Sequence, residues 1–206
     1  MKPILFNTPM TRAILDGRKT ETRRIIKAPV LSQVDEEPRR VEWYDSIQGR
    51  VVRFAWNGKA VGGFEIKPPY ITGDILYVRE TWFHFNGQYV YRATAAQPEL
   101  WDGTGMWHPS IHMPKEAARL FLQVTDVRVE RLQDITTNAL QSEGIVPEGY
   151  LSQYAVMTEA DKWFDDFREV WDSTIKPADR ERYGWAANPW VWVISFERCD
   201  KPETET

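Results

Sequence analysis

Residues 16–25 read DGRKTETRRI, and we expect the rest of the chain to be organised around this stretch. A helix pattern ends within it and a strand pattern begins. The stretch combines two threonine hydroxyls with four cations: Thr20, Thr22, Arg18, Lys19, Arg23 and Arg24. This combination is typical of a site for an anionic or polar ligand, or of a lysine that readily loses its proton. The same residues also suit a basic surface loop, and residue chemistry alone leaves that alternative open.

The segment before this stretch predicts a short helix. Thr8 is a candidate N-cap, and Pro9 suits the first helical turn, where its missing N–H has no partner in any case. The apolar spacing predicts a helix over residues 9–16, and Gly17 is the expected stop. The helix therefore ends directly before the cluster of cations.

A strand pattern starts at Thr20. In a regular strand Thr20 and Thr22 share one face, while Lys19 lies on the other. Lys19 and Thr22 can therefore converge only if the chain bends near Thr20. The change from helix to strand is where we expect such a bend.

Composition limits the classes of protein to consider. The chain has 206 residues, enough for one domain with elaborations or two small ones, and 42% of them are hydrophobic. Its formal net charge of −4 gives no overall basic field for gripping nucleic acid. The single cysteine, Cys199, permits no disulfide within the chain, which fits a reducing cytosol. With neither a signal peptide nor a membrane-length apolar run, we expect a cytoplasmic protein without a membrane partner.

Strand patterns dominate the remainder of the chain. Strands are predicted at residues 4–6, 49–56, 60–66, 75–82, 89–91, 121–129 and 190–196, with hairpin turns at Asn57-Gly58 and Asn86-Gly87 and an irregularity at Thr125-Asp126. The last strand is apolar throughout and is expected to be central. Helices are predicted at 138–142, capped by Thr136 or Thr137 and ended by Gly144, and at 158–172. This pattern favours an α+β fold on a small, largely antiparallel β-barrel.

Two further carboxylates attract notice. Glu80 shares a strand face with Trp82, and a carboxylate on such a face has either a cationic partner or a role in a site. Glu143 lies in the last turn of a helix, where a negative charge is mildly unfavourable. His108 and His112 are four residues apart, but Pro109 and Pro114 disfavour a helix there. We therefore expect no metal site and no cofactor.

Four motifs in this order resemble the ASCH domain family, whose members have a PUA-like β-barrel. They are GRKTETRR at 17–24, GDILYVRETW at 73–82, the segment 124–144, and VWVISF at 191–196. The resemblance implies one α+β domain over residues 1–200, with short flanking helices, insertions at about 28–70, 85–110 and 146–189, and a polar tail at 201–206. Residues 107–114 and 184–193 look like a longer, phage- and prophage-associated branch.

The resemblance also implies an activity. A small ASCH subgroup consists of amidohydrolases that remove the acyl group from N4-acetylcytidine without a metal. Its catalytic lysine, threonine and glutamate match Lys19, Thr22 and Glu143 here, with Glu143 resting on the shortest alignment. The expected partner is thus a small modified nucleoside. We assign substrate binding to four further residues: Arg18, Arg23, Glu80 and Trp82.

Two other functions stay open at this point. One is a non-catalytic PUA-like binder of RNA or modified nucleic acid, which would need a basic stripe wider than residues 18–24. The other is a ribonuclease, since some ASCH proteins have been linked to RNA cleavage, although the histidines lie outside the matched catalytic motif. The sequence does not indicate the oligomeric state or the preferred acyl group.

Overall fold

The computed structural model describes residues 1–27, 40–46, 49–55, 64–102, 104, 106–145 and 153–203. The strands of this part are β1 (Lys2–Leu5), β2 (Glu21–Ile25), β3 (Arg40–Ser46), β4 (Gly49–Ala55), β5 (Phe64–Ile66), β6 (Ile75–Arg79), β7 (Trp82–Phe85), β8 (Gln88–Tyr91), β9 (Phe121–Arg131) and β10 (Trp190–Cys199). The helices are α1 (Thr8–Leu15), α2 (Thr137–Ser142), α3 (Gln153–Thr174) and α4 (Arg180–Tyr183). The fold is therefore mixed α+β, as predicted.

The main sheet has five strands in the order β1-β6-β9-β10-β2. β1 pairs with β6 in parallel, and the other neighbours are antiparallel. Smaller sheets are formed by β3-β4-β5 and β7-β8. Among the described strands no pairing joins β1 to β2, so the predicted closed barrel is not formed. The physical reason is that a side chain, and not a backbone ladder, bridges β1 and β2: the Arg24 guanidinium lies 5.2 Å from the Phe6 ring and donates to the backbone oxygen of Leu5 (3.0 Å).

The local sequence signals around α1 predicted most of this helix correctly. Pro9 lies in the first turn, and Gly17 follows the helix with a φ of +77°. The predicted cap is wrong by one residue, because the Asn7 side chain, and not that of Thr8, accepts a hydrogen bond from the backbone N–H of Met10 (2.9 Å). The start and end of the helix are otherwise those that the sequence predicts, within one residue.

Strand patterning missed β3 and misplaced the end of β6, and it matched most of the other described strands. Asn86 and Gly87 form the predicted turn, both with positive φ, while Asn57-Gly58 lies outside the described residues. β10 lies between β9 and β2, as expected for a central strand. The pairing of β9 with β10 skips Thr125, so the predicted irregularity is confirmed. The predicted strand 75–82 is wrong, because β6 ends at Arg79 and β7 begins at Trp82.

The two faces of the main sheet carry separate cores. On one face, a cluster that includes Ile4, Phe6 and Ile194 packs beneath α1. On the other face, Trp163 and Phe167 of α3 pack with Val191, Val193 and residues of α2. Helices thus approach the edge strand β2 from both faces, and this position matters for the site. None of the described helices is long and apolar enough to cross a membrane.

Candidate functional site at the edge of β2

A cavity of about 360 Å³ lies along the free edge of β2. Its lining comes from the end of β1, the start of α1, β2, the end of α2, and α3. A cavity of this size is at the lower end of the range for pockets that bind small molecules. Lys19, Thr22 and Glu143 all contribute to its lining.

Lys19 is buried and fully hydrogen-bonded. Its side chain is 1% exposed, and Nζ lies 2.6 Å from Oε2 of Glu143, 2.9 Å from the Glu143 backbone oxygen and 2.8 Å from that of Glu21. Three acceptors match the three hydrogens of an ammonium group. Lys19 forms a single antiparallel bridge with Glu143, and the backbone N–H of Thr20 donates to Ser142. This pairing bends the chain before β2, and Lys19 and Thr22 both line the cavity.

The buried Lys19–Glu143 pair has two lowered pKa values. Burial lowers the pKa of Lys19 below its ordinary 10.5; attraction to Glu143 opposes the change, and repulsion from Arg24 and Arg23 adds to it. For Glu143, burial alone would raise the pKa, but attraction to and hydrogen bonds from Lys19 and Arg23 hold it below the ordinary value. Glu143 is thus a carboxylate, and a larger fraction of Lys19 is unprotonated at a given pH than of an exposed lysine.

Thr22 lies beside a guanidinium. It is 2% exposed, and its Oγ1 accepts a hydrogen bond from Nη1 of Arg24 at 2.6 Å. The same guanidinium also donates to the backbone oxygens of Arg23 and Leu5. Arg24 therefore faces the hydroxyl with a positive charge, which stabilises negative charge on that oxygen. Sequence reasoning listed Arg24 among the cations but gave it no role.

A network of charges supports Glu143 from the opposite face of β2. Arg23 is 3% exposed and donates to carboxylate oxygens of Glu143, Glu21 and Glu130. Arg128 donates to Glu21 and Glu130, which closes a ring of four charges with Arg23. Among the residues that the structure describes, the buried Nε of Arg23 has no hydrogen-bond partner. Sequence reasoning missed Glu21, Arg128 and Glu130, although alternating charges on both strands were a signal that could have identified them.

Other predicted site residues lie apart from the cavity. Arg18 donates to the backbone oxygen of Gly144 (3.0 Å) and to Asp16 (3.1 Å), so it holds the end of α2 in place. It is not one of the residues that line the cavity, whereas Arg23 is.

Glu80 and Trp82 belong to a different cluster. Both oxygens of Glu80, which is 1% exposed, accept hydrogen bonds from Arg119 at 2.9 and 3.0 Å. The Trp82 ring packs against Tyr89 and His108. The structure does not bring either residue to the cavity beside Lys19. Glu80 thus has the cationic partner that its place on the strand predicted, and no role in substrate binding follows from its position.

Comparisons with known proteins add little to this geometry. No family model matches the chain, and no curated protein matches it. Among solved structures, the chain is similar to the crystal structure of protein EF3133 from Enterococcus faecalis V583, family-model DUF984. The identity is 10%, the alignment covers 97% of this chain and 77% of that chain, and the TM-score is 0.43. Within the described residues, no three His, Cys, Asp or Glu side chains are grouped to hold a metal ion.

Proposed function

We propose that this chain is an amidohydrolase that removes the acyl group from N4-acylated cytosine derivatives such as N4-acetylcytidine. The main observation in its support is that Lys19, Thr22 and Glu143 line one cavity, although Glu143 is 124 residues from Lys19 in the chain. These are the residues that match the catalytic set of the ASCH amidohydrolases. The lowered pKa of Lys19 adds chemical support.

The first step uses Thr22 as nucleophile. Lys19 in its unprotonated form takes the hydroxyl proton, and Oγ1 forms a bond to the amide carbon of the substrate. The carbonyl electron pair moves onto oxygen, and the Arg24 guanidinium stabilises the negative charge at this position. The tetrahedral intermediate then loses the exocyclic N4 amine, which takes its proton from the Lys19 ammonium. Cytidine leaves, and Thr22 carries the acyl group as an ester.

The second step returns the enzyme to its starting state. Water attacks the ester carbon, and Lys19 accepts the proton that the water loses. The bond between the carbon and Oγ1 breaks, and Lys19 returns the proton to the threonine oxygen. The products are a carboxylic acid and free Thr22. Water and the amide are thus the only reactants that the cycle consumes.

Glu143 acts on Lys19 and not on the substrate. Its carboxylate and its backbone oxygen both bind Nζ, and Arg23 holds the second carboxylate oxygen at 3.1 Å. The pair fixes Nζ near β2, which a flexible lysine would otherwise do only at an entropic cost. Because Glu143 also raises the pKa of Lys19, it lowers the fraction of Lys19 that is unprotonated, so its contribution is to position the base.

The test is release of cytidine from N4-acetylcytidine, followed by chromatography, in the wild type and in Lys19→Met and Thr22→Val. Each variant should lose activity by at least ~10²-fold, because the base or the nucleophile is gone. Thr20→Val and Lys27→Met are matched controls, since both side chains are exposed and lie outside the cavity. A folded wild type that releases no cytidine, or a Thr22→Val variant as active as its Thr20→Val control, would refute the proposal.

A further inference from the structure

One wall of the cavity is apolar and comes from α3. Phe167, Val170 and Trp171 follow one another at helical spacing on a single face of α3, and Ile175 continues that face past the helix end. Ile145, just after α2, joins them. The rest of the lining includes Lys19, Thr22 and Arg24. The cavity therefore has an apolar half and a charged half.

The apolar wall is held rigidly. Trp171 and Phe167 are 6% and 4% exposed. The indole N–H of Trp171 donates to the backbone oxygen of Tyr183 at 2.9 Å, and the Phe167 ring meets Trp185 edge to face at 6.0 Å. Both rings thus have fixed positions before any ligand arrives, so a ligand that packs against them does not have to order them first.

The α3 wall has few groups that could form hydrogen bonds with a polar ligand. Of the described α3 residues that line the cavity, Thr174 alone carries a hydroxyl, and this hydroxyl donates to the backbone oxygen of Trp171 at 2.7 Å. The ring oxygen and nitrogen acceptors of cytosine would lose hydrogen bonds to water there, at a cost that stacking on one ring does not offset. Among the other lining residues, Arg24 and Asn7 carry polar side chains of the kind that bind a pyrimidine.

We infer that the α3 wall is an acyl subsite, and that the substrate carries an extended apolar acyl group such as butyryl, hexanoyl or benzoyl. This inference rests on the proposed function, because it assigns the two halves of the cavity to the two sides of the scissile amide. The acyl chain packs on Phe167 and Trp171, and the amide carbon lies at the charged half, by Thr22. An acetyl group is too short to contact most of the α3 wall.

The first experiment compares kcat/KM for N4-acetyl-, N4-butyryl-, N4-hexanoyl- and N4-benzoylcytidine. Each methylene that the wall buries should raise kcat/KM about two- to four-fold, so the hexanoyl compound should exceed the acetyl compound by more than tenfold. Equal rates across the series, or a preference for acetyl, would overturn the inference and leave the proposed function intact.

A pair of variants tests whether α3 is responsible. Val170→Phe fills the acyl subsite and should lower the hexanoyl-to-acetyl ratio of kcat/KM by about tenfold. Glu169→Phe introduces the same side chain at the neighbouring exposed position, outside the cavity, and should leave the ratio unchanged. A ratio that Val170→Phe does not change, in a variant that melts like the wild type, would place the acyl group elsewhere.

Binding separates the failure of this inference from the failure of the proposed function. Calorimetry with the Thr22→Val variant, which has no nucleophile, should give a lower Kd for N4-hexanoylcytidine than for N4-acetylcytidine. If the wild type cleaves none of the four compounds but still binds the longer chain more tightly, the apolar subsite stands and the proposed activity falls. If the affinity does not depend on chain length, the subsite falls whether or not cleavage is seen.

Discussion

At the scale of single residues, the charge of Lys19 decides whether the site can act. An ammonium group with three hydrogen bonds has no lone pair with which to take a proton from Thr22. Burial favours the unprotonated amine, whereas the Glu143 carboxylate favours the ammonium. The site therefore holds a lysine whose two forms lie closer in free energy than those of an exposed lysine, which is what general-base catalysis needs.

The pH dependence of catalysis should report this balance. If the unprotonated amine is the base, kcat/KM rises with pH as Lys19 loses its proton. The midpoint should lie below the ordinary value of 10.5, because the pKa of Lys19 is lowered. Glu143→Gln removes the group that raises this pKa, so the midpoint should move to lower pH while the maximal rate falls about tenfold or more with the loss of positioning. The measurement is kcat/KM against pH for both proteins.

A second carboxylate of the same network is the control for that shift. Glu130 contacts Arg23 and Arg128 but is not among the groups that shift the pKa of Lys19. Glu130→Gln should therefore leave the midpoint near that of the wild type. A midpoint that moves to higher pH in Glu143→Gln, or an equal shift in both variants, would contradict the role of Lys19 as the base.

The sequence could predict part of the site because part of the site is local. Lys19 and Thr22 are three residues apart at a helix-to-strand junction, and a motif match added Glu143. Glu80 could be predicted to need a cation, but its partner is 39 residues away, and strand alternation does not identify a partner at that distance. The contact of Arg24 with Thr22 depends on the side-chain conformation at a sheet edge, which no pattern in the sequence reports.

At the scale of elements, Gly144 follows α2 and lies next to Lys19. It follows α2 with a φ of +82°, and a Cβ at this position would lie 2.8 Å from Cβ of Ala13 and 3.2 Å from Cβ of Lys19. Gly17 ends α1 in a similar conformation, with a φ of +77°, but a Cβ there would have no atom within 4 Å. The two helix-ending glycines therefore share a left-handed backbone conformation and differ in their surroundings.

Because of this difference, Gly17→Ala and Gly144→Ala can be compared as a matched pair. Gly17→Ala should lower the free energy of unfolding by about 1–2 kcal/mol, the cost of a Cβ in the left-handed region. Gly144→Ala should lower it by a further ~1–3 kcal/mol, because Ala13 and Lys19 must move, and it should also reduce activity. Urea unfolding of both variants measures the difference. If both variants lose the same free energy of unfolding, α1 and α2 are not packed as closely as this geometry requires.

Elements with strong local signals were predictable, and their ends were less so. The Asn86-Gly87 hairpin and the irregularity at Thr125 follow from turn residues and side-chain alternation, which act over a few positions. The end of β6 at Arg79 did not follow from these signals. There, Arg119 holds Glu80 by two hydrogen bonds, and a tertiary contact of this kind overrides the strand pattern.

At the scale of the whole molecule, the expected barrel was wrong because barrel closure depends on one long-range pairing. The sequence predicts strands and their faces, but it does not state which edge strands meet. Here β1 pairs in parallel with β6, and the cavity lies where β1 and β2 would have closed the sheet. In the proposed function, the cavity at this edge is what brings a ligand to Lys19 and Thr22.

The distribution of charge argues against the nucleic-acid alternatives. Three of the four cations that suggested a basic patch bind carboxylates within the chain: Arg18 binds Asp16, Lys19 binds Glu143, and Arg23 binds three. Arg24 donates to oxygens of its own fold. Within the described part of this stretch, three cations are therefore paired with carboxylates, and only the charge of Arg24 is left to attract a phosphate.

We therefore expect weak binding to single-stranded RNA. Fluorescence anisotropy with a labelled oligonucleotide should give a Kd no tighter than the non-specific range of ~10⁻⁴–10⁻⁶ M, with a shallow dependence on salt, because few phosphates would be neutralised. Arg18→Ala, which removes a partly exposed cation of the stretch, should change that Kd by less than about twofold. Submicromolar binding that falls steeply between about 50 and 200 mM salt would instead favour the RNA binder. Shortened RNA in the same samples would favour the ribonuclease, and either result would mean that the charged half of the cavity serves a polymer.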